Sequence, residues 1–264
     1  MDFSNKVVII TGANSALAAA TATLLSSYGA QLILVSSNPA EIKELSDELV
    51  KPHVKTPLLI TADVTKEEGA KRVERETVNH FGKVDVVVNA AGGMVPDCIQ
   101  KPDLKAFDEN INLNLRSVYL MTTIFARHLM RSRGNIVNIG SVFVDTIFSG
   151  HVTYNIAKAG IEYLTKTSAL ELANKGIRVN CVKPGFTETN VTPKMHKCED
   201  KKPWEDATRM VPLGKLINGR DIAEAIVFLA SEQAKNITGT SIIIDGGLAL
   251  SGTTVIDKIR TAFD

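Results

Sequence analysis

Cysteine is scarce in this chain: Cys98, Cys181 and Cys198 are three among 264 residues, and none stands in a Cys-x-x-Cys or Cys/His ligand spacing. An odd, scattered set excludes a disulfide framework, offers no zinc site and suits a reducing compartment. Charge of one sign is not in surplus either. Thirty Lys and Arg stand against twenty-nine Asp and Glu, a formal charge of +1, so the basic stripe of a nucleic-acid binder is missing. No apolar run reaches the roughly 18 residues of a membrane helix. The opening MDFSNKVVII lacks the basic segment, longer apolar region and cleavage site of a secretory leader. The expectation is a soluble, cytoplasmic protein with a small-molecule ligand and neither nucleic acid nor membrane as a partner.

What is present is core material, with hydrophobic residues at 44%, ample for one large domain spanning 1–264. Short apolar runs alternate with longer segments of helical period. The expected strands are Val7 to Ile10, Gln31 to Val35, Pro57 to Thr61, Val84 to Asn89, Asn135 to Ile139, Arg178 to Val182 and Ser241 to Ile244. They are too uniformly apolar for burial on one face, which marks parallel strands covered on both sides. Between them, PAEIKELSDELV places Ile42, Leu45 and Leu49 on one helix face, and DIAEAIVFLA does the same with Ile222, Ala225, Ile226 and Leu229. Repeated βαβ units with right-handed crossovers build an α/β, doubly wound sheet of Rossmann type, with its ligand beyond the carboxyl ends of the strands. The segment 186–219, with three prolines and mixed charge, is expected to form a flap beside that site.

Five stretches carry chemistry. TGANSALAAA, Thr11 to Ala20, follows the first strand and opens a helix, so free N–H groups and the positive helix end point toward a bound pyrophosphate. YNIAK sets Tyr154 and Lys158 one turn apart on a helix face. A phenol has an ordinary pKa of about 10, and a neighbouring cation stabilises phenolate. Ser141 ends the strand GNIVNIGS, where a hydroxyl can hold a substrate oxygen. Asn114 lies in INLNLRSVYL, and NAAG, Asn89 to Gly92, closes the preceding strand. Taken singly, each has a bland reading as a turn, a cap or an exposed pair.

In this order, together with ADV at Ala62 to Val64, GIRVNCVKPG at Gly176 to Gly185, Thr189 and DGG at Asp245 to Gly247, they resemble the short-chain dehydrogenase/reductase family over nearly the whole chain. The resemblance implies a seven-stranded parallel sheet, a nicotinamide cofactor, hydride transfer without a metal, and a homodimer or homotetramer. It implies that Tyr154 is the proton donor in carbonyl reduction and the acceptor in alcohol oxidation. Lys158 would lower its pKa and bond the nicotinamide ribose, Ser141 would orient the substrate oxygen, and Asn114 would hold a water linking Lys158 to solvent. The implied cofactor contacts are Gly12, Asn14, Ser15, Ala16 and Leu17 at the pyrophosphate, Asp63 and Val64 at adenine, and Asn89, Ala90 and Ala91 at the end of the fourth strand, where Asn89 would also help hold the neighbouring strands. Pro184, Gly185, Thr187 and Thr189 would lie at the nicotinamide, with Tyr154 and Lys158.

The family carries glycine where this chain has Ala16 and Ala18. Alanine suits the helix, better than glycine by roughly 1 kcal/mol, while the pyrophosphate would sit less closely. This leaves two readings: a working NAD(P)-dependent alcohol dehydrogenase or carbonyl reductase, or a cofactor-impaired relative acting as a scaffold. The intact Asn114, Ser141, Tyr154 and Lys158 favour the enzyme. At the end of the second strand Ser36 and Ser37 offer hydroxyls and no carboxylate, which favours NADP(H) over NAD(H). Phe143, Val144, Ile147 and Phe148 are expected to line an apolar substrate pocket, with His151 near it.

Overall fold

The computed structural model describes residues 1–49, 55–188 and 202–251. Its strands are β1 (Val7–Thr11), β2 (Gln31–Ser36), β3 (Leu58–Thr61), β4 (Val86–Asn89), β5 (Asn135–Ile139), β6 (Arg178–Pro184) and β7 (Ser241–Ile244). They form one seven-stranded parallel sheet in the order β3-β2-β1-β4-β5-β6-β7. The expected strands are all present, with ends shifted by one or two residues. Thr11, Ser36 and Pro184 join because each has a partner on a neighbouring strand: Val35 and Asn89, Thr61, and Ile244. Pro184 has no N–H to give a ladder and stands at the strand's last position, where that costs least.

The helices are α1 (Ala16–Ser27), α2 (Pro39–Leu49), α3 (Glu67–Phe81), α4 (Leu104–Ile111), α5 (Ser117–Ser132), α6 (Val152–Leu172), α7 (Lys202–Met210) and α8 (Gly219–Ala230). Alternate side chains of one strand feed two separate layers, as the pleat requires. Val8 and Ile10 join the core against α1, α2 and α8, with Leu25, Leu45 and Ile226. Val7 and Ile9 join the core against α3, α5 and α6, with Val73, Phe125 and Ala169. All four are fully buried, so cutting such an isoleucine to alanine would cost about 2–5 kcal/mol. The expected flap region contains the helix α7, and residues 189–201, including Thr189, lie outside the described residues. Its two ends are pinned together: Ile217 N–H donates to the Phe186 carbonyl at 2.9 Å, and Glu188 N–H donates to that of Ile217 at 3.0 Å.

No helix among the described residues is long and apolar enough to cross a membrane.

Candidate active site

The strand order reverses between β1 and β4, so the loops leaving them diverge at their carboxyl ends and open a crevice. Gly12 makes this junction possible. Its φ is +64°, and a Cβ there would lie 2.5 Å from the Cα of Ala91 and 2.8 Å from the carbonyl oxygen of Ala90; no other residue type fits. Thr11 Oγ1 accepts from the N–H groups of Ala90 at 3.2 Å and Ala91 at 3.1 Å, binding the two loops. Ser15 caps α1, its Oγ accepting from Ala18 N–H at 3.2 Å. The amides of Ala16 and Leu17, in the first turn, have no carbonyl a turn earlier to bond. Asn14 and Ala16 are exposed and Leu17 is half-buried.

The two alanines part company here. Ala16 is exposed at the start of α1, whereas Ala18 is fully buried among the core residues of its layer. Close helix packing comes from the opposite helix: a Cβ on Gly219 at the start of α8 would meet the Ala16 carbonyl oxygen at 3.0 Å.

At the end of β2, Ser36 is buried and its Oγ accepts from Asn38 N–H at 3.1 Å, while Ser37 is exposed. Asp63 is exposed, its Oδ1 accepting from both N–H (2.9 Å) and Oγ1–H (2.7 Å) of Thr65, the loop-cap geometry. Val64 is buried. Asn89 is buried and donates to Asn138 Oδ1 at 2.8 Å, joining β4 to β5; Asn138 in turn donates to Thr165 of α6 at 2.9 Å. Gly185 follows β6, its N–H donating to the Ile244 carbonyl at 2.9 Å. A Cβ there would lie 2.8 Å from the Cα of Asp245. Thr187, buried, is bridged to Ile217.

The four proposed proton-transfer residues converge at the carboxyl ends of β4 and β5. Asn114 lies in a π-helical turn, Asn112–Arg116, between α4 and α5; such turns recur at functional sites because they re-aim a side chain without ending the helix. Its Nδ2 donates to the carbonyls of Gly93 at 2.8 Å and Asn110 at 3.0 Å. Lys158 is buried and donates to the Ile139 carbonyl at 2.9 Å. A Cβ on Gly92 would stand 3.1 Å from Asn114 Oδ1 and 3.5 Å from Lys158 Nζ, so bare glycine backbone leaves space between the amide and the ammonium. Ser141 is buried, its Oγ accepting from Phe143 N–H at 3.2 Å, and its hydroxyl lies near enough to Tyr154 to bear on the phenol's proton affinity.

Electrostatics here differ from the simple Tyr/Lys expectation. Burial pushes the Tyr154 phenol above its ordinary value and the Ser141 hydroxyl pulls it part of the way back. Burial also brings Lys158 down to about 8. Lys158 Nζ stands 5.6 Å from the phenol ring centroid and bonds the main chain.

Beside Tyr154 lies an aromatic wall. The ring of Phe143 is edge-on to Tyr154 at 6.3 Å, and Phe143, Phe148 and Phe186 stand mutually within 4.7–5.5 Å. Phe143 also meets His151 edge-on at 5.9 Å. Val144 is half-buried, and Ile147, expected in this wall, is instead 70% exposed. The short turn Val142–Val144 carries Phe143 inward, while Ile147 falls on the outer side of the following loop.

A family model described as enoyl-(acyl carrier protein) reductase matches residues 12–249. The chain belongs to the short-chain dehydrogenase/reductase family. This dehydrogenase/reductase is 36% identical over 254 residues to the 3-oxoacyl-(acyl-carrier-protein) reductase of Thermotoga maritima, covering 95% of this chain and 100% of that one. It is 32% identical to the L-fucose dehydrogenase of Bos taurus, over 94% of this chain and 91% of that protein. The crystal structure of 3-ketoacyl-(acyl-carrier-protein) reductase from Brucella melitensis complexed with NADH superposes with a TM-score of 0.84 at 30% identity, covering 94% and 100% of the two chains.

Motif reading of this dehydrogenase/reductase missed the residues that hold the site from behind. Asn110 donates to the Val95 carbonyl at 2.9 Å and to Thr153 Oγ1 at 2.7 Å, fastening the loop after β4 to the start of α6. An Asn one helical turn before Asn114, on the same helix face, is the signal that was available. Phe186 had no comparable signal. A cavity of about 340 Å³ at the opposite, amino ends of the strands is lined by Lys6, Asp85 and Arg178. Those groups are already paired, Asp85 with Val7 N–H and Lys83, and Arg178 with the carbonyls of Leu229 and Ser231.

Proposed function

We propose that this protein is an NAD(P)-dependent oxidoreductase that reduces a lipophilic carbonyl compound to its alcohol, or runs the reverse oxidation. The observation that carries the reading is the convergence of Ser141, Tyr154 and the buried Lys158, with an aromatic wall beside them, at the carboxyl ends of the strands. A nicotinamide, when bound, supplies or accepts the hydride. Ser141 and Tyr154 hold the substrate oxygen, and the Tyr154 hydroxyl gives it a proton as the carbon is reduced. A phenol kept protonated by burial is suited to that donor role. A water held by Asn114 would then pass a proton from solvent through Lys158, across Gly92, back to the phenolate.

The crevice fits a dinucleotide. Gly12, Asn14, Ser15, Ala16 and Leu17 would hold the pyrophosphate at the amino end of α1, with Asp63, Val64 and Asn89 to Ala91 around the adenosine. Pro184, Gly185 and Thr187 would hold the nicotinamide with Tyr154 and Lys158. No carboxylate occupies the position at the end of β2, and the exposed Ser37 hydroxyl is free to donate to a 2′-phosphate. NADP(H) is therefore preferred to NAD(H). Phe143, Phe148 and Phe186 favour an acyl or other apolar substituent next to the carbonyl over a polyol. An oxoacyl thioester, the substrate class in the name of the Thermotoga relative, meets that requirement.

A homodimer or homotetramer is part of the proposal. Ile156, Tyr163 and Leu170 recur every seven residues along α6 and are 50%, 75% and 81% exposed. With Phe107 of α4 and Tyr119 of α5, also exposed, they leave apolar area that a second copy would cover.

The test is a fluorescence titration with NADPH and NADH, followed by turnover on acetoacetyl thioesters, aromatic ketones and L-fucose. Tighter binding of NADPH with reduction of the thioester supports the reading. No binding of either cofactor at millimolar concentration would turn it toward the scaffold alternative.

A further inference from the structure

Lys183 is a buried charge that the reaction as described does not use. It lies on β6 one residue before Pro184 and is 3% exposed. Its Nζ is 2.6 Å from Asp145 Oδ2 and 3.0 Å from Glu162 Oε2, and Glu162 Oε1 also accepts from Lys166 at 2.7 Å. Burial alone would lower the Lys183 pKa; the hydrogen bonds of Asp145 and Glu162 outweigh it and raise it. The ammonium is thus held charged by two carboxylates from different elements.

Those elements are the ones that carry the reacting hydroxyls. Asp145 closes the short turn Val142–Val144, which begins at Ser141. Glu162 stands on α6, one turn after Lys158 and two after Tyr154. The aliphatic stem of Lys183 is the third contact: a Cβ on Gly140, the residue before Ser141, would lie 3.1 Å from Lys183 Cγ. Lys183 therefore passes beneath the peptide before Ser141 and grips the turn after it and the helix opposite. A buried ammonium is costly unless it is paired, and breaking such a pair leaves an uncompensated charge. Displacement at Lys183 must be felt at both hydroxyls.

We propose that Lys183 is a positioning residue, joining Asp145 to Glu162 so that Ser141 and Tyr154 are held at the separation that grips a substrate oxygen. It rests on the oxidoreductase reading for its kinetic consequence, and on geometry alone for its effect on Tyr154.

The experiment compares Lys183→Met, which keeps the stem and removes the charge, with Lys183→Arg, Asp145→Asn and a distant control, Lys71→Ala, which breaks an exposed pair on α3. One readout is kcat for a ketone or thioester beside the NADPH dissociation constant. The other is the ¹³Cζ resonance of Tyr154 in labelled protein without substrate, assigned by its loss in Tyr154→Phe. Lys183→Met is expected to lower kcat about tenfold or more while cofactor affinity stays within about twofold, since only alignment is lost. The Tyr154 resonance should move in Lys183→Met and in Asp145→Asn, return toward wild type in Lys183→Arg, and stay put in Lys71→Ala. A Tyr154 resonance unmoved in Asp145→Asn and Lys183→Met, or kcat within about twofold of wild type in both, overturns the proposal. If Lys183→Met does not fold, Asp145→Asn alone decides it, because that carboxylate is 36% exposed. Absence of turnover in the wild type would count against the oxidoreductase reading, and the resonance would still decide the positioning role.

Discussion

Lys158 donates to the Ile139 carbonyl at 2.9 Å, so the side chain that links α6 to the end of β5 is also a buried charge. Burial lowers its pKa from 10.5 to about 8. The unfolded chain keeps that proton up to its higher value, so between about pH 8 and 10.5 the unfolded state binds more protons and stability rises with pH. Below about 8 both states are charged, and the full cost stands. Lys158→Met should therefore raise the apo melting temperature at pH 7 by a few degrees while abolishing turnover, a trade of stability against function. The gain should shrink as pH rises from 8 toward 10.5. Thermal melts across that range check it; a melting temperature below wild type at pH 7 would contradict it.

Tyr154→Phe removes the phenol hydroxyl and leaves the ring against Phe143. Turnover should fall by roughly 10²–10⁴, with cofactor affinity unchanged within error by titration. Because burial holds the phenol above its ordinary value, wild-type reduction should stay level through neutral pH and decline only in the alkaline range. A pH profile of kcat/KM that falls already below pH 7 would rule the phenol out as the donor.

Ala16→Gly and Ala18→Gly should behave differently, since Ala16 is exposed at the amino end of α1 and Ala18 is buried in the core. Ala16→Gly is expected to tighten cofactor binding by about 1 kcal/mol, somewhat less than tenfold. Ala18→Gly should leave affinity alone and lower apo stability by about 1 kcal/mol, from lost helix propensity and a lost methyl. Calorimetric titration and apo melting of the two single variants separate the effects. Equal affinity changes would show that the loop responds as one unit.

Charged residues on the exposed face of α6 should disperse the assembly. Tyr163→Asp with Leu170→Glu replaces two side chains that are 75% and 81% exposed, so the monomer's fold should survive. Light scattering should report a dimer or tetramer for wild type and a monomer for the double variant. A wild-type monomer at micromolar concentration would sink the assembly proposal.

The alternation of strands and helices was legible in the sequence because it is local. Two-sided burial leaves runs such as VVII and QLILV, and helical period leaves Ile42, Leu45 and Leu49 in line. Ser141, Tyr154 and Lys158 were legible for the same reason, their spacing being that of one strand end and one helix face. Tertiary structure alone decided what surrounds them. Thr11, Ser36 and Pro184 become strand because of partners on other strands, and Ile147 leaves the apolar wall while Phe186, from a distant loop, enters it. Ala18 becomes a core residue through the packing of α1, and the close approach of α1 to α8 falls to Gly219, some 200 residues away. Lys183 reads in sequence as an ordinary basic residue. Its burial, and its two carboxylates from elements 38 and 21 residues distant, exist only once β6, the Ser141 turn and α6 are assembled, because desolvation and pairing of a charge depend on every group around it in space and not on its neighbours along the chain.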